Sequence, residues 1–148
     1  MQATIRYADE NDVKKLQDFL TKANLGIEGI TEETAQYFLL LEDEQGNTKG
    51  TLGIEPAGKA GLLRSLAIAP GMAEKDIFVL FDRMLVLAKA KGIETLYLAT
   101  NKPGAIPFFQ VLGFRHVDSK ELPVEITDSE HVQRVLCVDN SLFLKFSL

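Results

Sequence analysis

An arginine and a serine stand side by side in the apolar run G-L-L-R-S-L-A-I-A-P, at Arg64 and Ser65. A strand arginine carries a planar fork of donors that grips a carboxylate through two parallel hydrogen bonds, so Arg64 is a candidate for holding a carboxylate-bearing small molecule. The competing reading is a solvated face residue. Alternation sends neighbouring strand side chains to opposite faces, so Arg64 and Ser65 serve one site only if a bulge interrupts the strand. Glu74 and Asp76 open a long apolar stretch, where acids stabilise a helix by roughly 0.3–1 kcal/mol through its dipole. Asn101 lies in Asn-Lys-Pro-Gly and reads first as a turn residue. His116 and His131 have no partners at metal-ligand spacing, so no metal is expected. Cys137, the only cysteine, reads as a small buried hydrophobe rather than a nucleophile. It also rules out an intrachain disulfide, a C-x-x-C redox pair and a cysteine-rich zinc site.

These residues need elements to position them. The chain has 148 residues, 46% hydrophobic and 25% charged, which suits a single globular domain with a real core. Its 16 basic against 21 acidic residues leave a net charge of −5 with no Lys/Arg-rich run, which argues against a nucleic-acid or anionic-membrane binder. The N-terminal residues lack an apolar leader, and no uncharged apolar stretch is long enough to span a membrane. With one cysteine, a reducing, cytoplasmic setting is expected.

Thr4 to Tyr7 alternates like an edge strand. Asp9 then offers a cap, with Asp12 three residues on, for a helix carrying Val13, Leu16, Leu20 and Ala23 on one stripe and closing at Asn24 and Gly26. The polar segment from Gly26 to Gln36, with one turn at Thr31 to Thr34, is a candidate lining for a site. Strands are expected at Tyr37 to Leu41, Thr48 to Ile54 and Leu62 to Ala69, as a meander separated by turn-rich stretches. A helix from Glu74 to Lys91 follows, with Ile77, Phe81, Met84, Leu85 and Ala88 on one face, and then a strand from Ile93 to Ala99. This strand, helix, strand unit places a parallel pair inside a mostly antiparallel sheet. A short helix at Ala105 to Leu112, a strand starting at Gly113-Phe114, weak helical signals between Glu121 and Leu136, and a closing strand at Leu142 to Phe146 complete an α/β (α+β) chain. In that last strand, Leu142, Leu144 and Phe146 share one side.

This order of elements, with L-L-R-S-L-A-I-A-P before the helix and N-K-P-G-A-I-P-F-F-Q-V-L-G-F after L-Y-L-A-T, resembles the GNAT superfamily of acetyl-CoA-dependent N-acetyltransferases. The phrase A-I-P-F-F-Q-V-L-G-F-R-H-V-D and the tail E-L-P followed by L-C-V-D-N-S look like its amino-acid N-acetyltransferase subgroup. That subgroup includes N-acetylglutamate synthase-like and arsinothricin acetyltransferase-like proteins. Its tail reads L-P…C-P-x-S, and Val138 replaces the proline here.

The resemblance implies acetyl-CoA as donor and a small amino-acid-like amine as acceptor, joined by direct attack. It implies pantetheine held by the main chain of Leu66, Ala67 and Ile68, one of whose amides polarises the thioester carbonyl, with Asn101 and Phe109 near the coenzyme and Arg64 and Ser65 near the acceptor. The pyrophosphate would rest on an R-G-x-G-x-G/A loop at the head of the long helix. Here that stretch is Ala73, Glu74, Lys75, Asp76, Ile77 and Phe78, so the arginine and glycines are gone and only Lys75 is basic. Phe109 stands where many family members place a tyrosine general acid, which leaves no clear catalytic acid. The alternative expectation is therefore a catalytically inactive GNAT-fold protein that binds another ligand or a protein partner. Exposed strand edges suit a homodimer.

Overall fold

The computed structural model describes residues 3–100, 103–128 and 142–148. Seven strands form one mixed sheet in the order β1-β2-β3-β4-β5-β7-β6. They are β1 (Thr4–Tyr7), β2 (Phe38–Glu42), β3 (Thr48–Ala57), β4 (Ala60–Ile68), β5 (Thr95–Thr100), β6 (Arg115–Val117) and β7 (Leu142–Ser147). Among the described residues the α-helices are α1 (Val13–Lys22), α2 (Glu74–Ala90), α3 (Ile106–Leu112) and α4 (Val124–Thr127). Ala60–Leu62 pair in parallel with Thr95–Tyr97, and β1–β2, β2–β3, β5–β7 and β6–β7 pair antiparallel. The expected parallel pair in a mostly antiparallel sheet is present. No helix among the described residues is long and apolar enough to cross a membrane.

The chain divides into two compact units, Met1–Ile54 with Arg64–Leu87, and Glu55–Leu63 with Ala88–Leu148. In the first unit, Asp9 caps a single 3-10 turn, Glu10–Asp12, in a full capping box, and α1 follows it. Most of the expected stripe is buried: Leu16 and Leu20 fully, packed with Ala8, Ile30, Ala35, Phe38 and Leu40, and Val13 partly, whereas Ala23 caps the helix end and is exposed. Every residue of β2 is buried, so both of its faces are covered. The hairpin after it is tied by Asp43, whose Oδ1 accepts from the main-chain N–H of Gln45 and of Asn47, both at 2.9 Å.

In the second unit, Ala60, Leu62, Tyr97, Val117, Leu122, Ile126 and Phe143 form the core. Phe143 is buried as deeply as its neighbour Leu144, so β7 has no purely polar side, in contrast to the one-sided pattern its sequence suggests. Phe114 and Phe146 pack in a tilted arrangement with 5.4 Å between ring centres. Among the described residues after Glu121, Val124–Thr127 form α4, and residues 129–141, with His131, Cys137 and Val138, lie outside the described residues.

An ion cluster fastens β1, α1 and β2 together. Arg6 donates from Nη2 to Asp12 Oδ1 at 2.7 Å, from Nη1 to Asp12 Oδ2 at 2.8 Å and from Nε to Glu42 Oε1 at 2.6 Å, and Lys15 Nζ reaches Glu42 Oε2 at 2.9 Å. The Arg6 hydrogen bonds pull the Asp12 carboxyl down to about 2 from 3.8, and the Glu42 carboxyl is lowered by the same arginine. A carboxyl with a depressed folded-state pKa adds stability that is present above its ordinary value and disappears as the pH falls through the folded value. The protein is therefore expected to lose stability between the ordinary 3.8 of Asp12 and about 2. Urea unfolding at several acidic pH values checks this, and Asp12→Asn is expected to flatten the slope.

Candidate functional site

Strand β4 changes character halfway along. Ala60–Leu63 are buried, whereas all five residues from Arg64 to Ile68 are partly exposed. The switch coincides with a backbone irregularity: Ser65 has φ +60°, a left-handed conformation that costs a non-glycine residue about 1–3 kcal/mol unless its surroundings hold it. Thr51 of β3 supplies the hold. Its fully buried hydroxyl donates to the Ser65 carbonyl at 2.7 Å. The left-handed residue breaks the alternation, and Arg64 Nε donates to Ser65 Oγ at 3.1 Å. The two side chains meet, where plain alternation would have parted them.

The Arg64 guanidinium carbon sits 5.9 Å from the centre of the Phe38 ring, a cation–π contact with a buried aromatic. Phe38 has room because its cross-strand partner is Gly53, where any Cβ would overlap the ring. The polar segment after α1 closes in from another direction. Gly29, at φ +79°, comes so near that a Cβ there would lie 3.4 Å from Arg64 Nη1. Its carbonyl accepts from Thr34 Oγ1 at 2.6 Å, and Gln17 of α1 donates to the Ile30 carbonyl at 3.1 Å, so the segment is fastened on both sides of this approach. Of the residues around Arg64 and Ser65, the sequence marked the segment from Gly26 to Gln36, by its polarity. Thr51, Phe38 and Gly53 read as ordinary strand residues.

Replacing Thr51 with valine keeps the shape and deletes the donor, leaving the Ser65 carbonyl without this partner. A loss of about 1–3 kcal/mol is expected for Thr51→Val, with Thr51→Ser close to wild type. Thermal unfolding of both variants checks it.

The head of α2 is organised by its own carboxylate. Ala73 N–H donates to Asp76 Oδ2 at 2.9 Å, while Asp76 N–H donates to the Ala73 carbonyl, also at 2.9 Å. Asp76 thus caps the helix from its third position, which is more specific than a favourable interaction with the dipole. Glu74 and Lys75 are exposed, and Asp76, Ile77 and Phe78 are partly buried. Ala67 packs against the core of the first unit.

Phe109 lies in the second unit, edge-on to Phe108 at 5.5 Å and to Phe114 at 6.0 Å, in an aromatic cluster with no proton to give. His116 is exposed on β6, and no group of three or more His, Cys, Asp or Glu among the described residues is arranged for a metal. Asn101 lies outside the described residues.

The sheet order, the parallel β4–β5 pair and the helices beside them define a GNAT-like fold, and solved structures agree. The N-acetylglutamate synthase of Neisseria gonorrhoeae, complexed with coenzyme A and N-acetyl-glutamate, superposes with a TM-score of 0.81 at 20% identity over 100% of this chain. The chain spans only 35% of that enzyme. A GNAT-family acetyltransferase from Staphylococcus aureus Mu50 gives 0.76 at 19% identity, covering 99% of both chains. Rv2747 of Mycobacterium tuberculosis, in complex with CoA, gives 0.74 at 20% identity over 98% of this chain and 99% of its own. No protein-family model matches the sequence. The chain belongs to the family of the uncharacterized protein YwlB of Bacillus subtilis (strain 168), with 38% identity over 128 residues, 86% of this chain and 85% of YwlB.

Proposed function

We propose that the protein is an N-acetyltransferase that moves an acetyl group from a coenzyme A thioester to the amine of a small amino-acid-like molecule by direct attack. The observation that carries this reading is the left-handed backbone at Ser65, beside which Arg64 donates to the Ser65 hydroxyl and lies over Phe38 on the partly exposed half of β4. Arg64 takes the acceptor's carboxylate, with the Gly29 main chain beside the guanidinium. The Neisseria structure, which holds coenzyme A together with N-acetyl-glutamate, supports a carboxylate-bearing product.

The donor contributes an activated acyl carbon. The exposure of Arg64–Ile68 suits the role proposed for the amides of Leu66, Ala67 and Ile68 in holding the pantetheine arm and polarising the acyl carbonyl. Little else is demanded of the chain. The attacking amine must be neutral, and for a free amino acid near pH 7 that is a small minority fraction, replenished by rapid exchange with water. That requirement is compatible with Phe109 at the usual tyrosine position.

The second reading, a GNAT-fold protein without catalysis, is favoured by the head of α2, where Asp76 occupies the Ala73 amide. Thiol release from acetyl-CoA, measured across amino acids and their amidated counterparts near neutral pH, separates the two. Faster release with carboxylate-bearing amines than with their amides is expected. Silence with every acceptor, together with no binding of coenzyme A or of pantetheine, sends the protein to the second reading.

A further inference from the structure

We infer that Asp76 is a built-in anion at the head of α2, so that this chain engages its donor through the pantetheine arm and gives the diphosphate of coenzyme A no seat. The inference rests on the acyltransfer reading and specifies the donor's binding mode. A diphosphate at a helix head is held by main-chain N–H groups that have no other acceptor. Here four N–H groups leading into and opening the helix already have protein acceptors. Ala69 N–H donates to the Lys49 carbonyl at 2.8 Å, Met72 N–H to the Ala69 carbonyl at 3.3 Å, Ala73 N–H to Asp76 Oδ2 at 2.9 Å and Asp76 N–H to the Ala73 carbonyl at 2.9 Å.

Charge acts in the same direction. A diphosphate approaching this turn meets the carboxylates of Asp76 and Glu74 against the single cation of Lys75. The Ala73 amide already has an anionic acceptor, and the protein itself supplies it. The ligand class selected is an acyl-pantetheine whose nucleotide end adds nothing to affinity.

Calorimetric titration of coenzyme A, pantetheine and ADP into wild type, Asp76→Asn and Asp76→Ala tests this. Asp76→Asn keeps an oxygen for the Ala73 amide and removes only the charge, so it stands in if Asp76→Ala disturbs the helix, and circular dichroism verifies the fold of each. In wild type, coenzyme A and pantetheine are expected to bind within about threefold of each other, with ADP silent. Asp76→Ala is expected to raise coenzyme A affinity about tenfold and to make ADP binding detectable, with pantetheine unchanged, while Asp76→Asn gives a smaller rise. Wild-type affinity for coenzyme A about tenfold above that for pantetheine, or no gain in either variant, overturns the inference and leaves the acetyltransferase reading standing. Failure of both coenzyme A and pantetheine to bind any of the three proteins overturns both.

Discussion

Arg64→Ala is expected to lower kcat/KM for a carboxylate-bearing amine about a hundredfold, because a hydrogen bond to a charged group is worth about 1.5–3 kcal/mol and the fork makes two. The loss should fall mainly in KM, since the carboxylate is gripped alike in the ground and transition states. Arg64→Lys keeps the charge but not the fork, and is expected to lose about tenfold. The informative readout is the ratio of activity on an acid to activity on its amide. A damaged fold lowers both, whereas a lost carboxylate grip lowers only the first. A drop of less than about threefold in Arg64→Ala, with the fold intact, removes the carboxylate role from Arg64. Because the guanidinium also lies over Phe38, a melting curve belongs beside the kinetics.

Arg6→Ala is expected to cost about 2–4 kcal/mol at neutral pH, somewhat below the cost of breaking a fully buried ion pair. The discount follows from exposure: the Arg6 side chain is 39% accessible, but its partners Asp12 and Glu42 are 8% and 10% accessible. The damage therefore lies in what is left behind, namely two nearly buried carboxylates with only Lys15 beside Glu42. The pH dependence distinguishes this account from lost packing. Without Arg6, protonation relieves the stranded carboxylates, so the gap to wild type should narrow as the pH approaches 3.8, the ordinary value for Asp12. Urea midpoints at neutral and acidic pH decide it, and a gap independent of pH rejects the explanation.

Much of the scaffold was legible because it obeys local rules. The cap at Asp9, the Leu16 and Leu20 stripe and the parallel strands around α2 all follow from periodicity and punctuation. The site was legible only in part. Arg64 and Ser65 could be singled out, but a left-handed serine leaves no trace in the sequence, and its cause, the hydroxyl of Thr51, lies fourteen residues away on another strand. Phe38 and Gly53 work as a cross-strand pair whose function appears only when Arg64 is seen above them. Asp76 was legible as an acid suited to a helix start. That it binds the Ala73 amide is a matter of distance, which composition does not encode.

The left-handed backbone at Ser65 has a consequence for how this family can vary. Glycine is the residue best adapted to that conformation, so drift toward stability favours glycine there. Glycine, however, has no oxygen for Arg64 Nε. Selection on folding and selection on the arginine's orientation therefore pull this position in opposite directions. A lineage that keeps serine at this position reveals which of the two pressures is stronger.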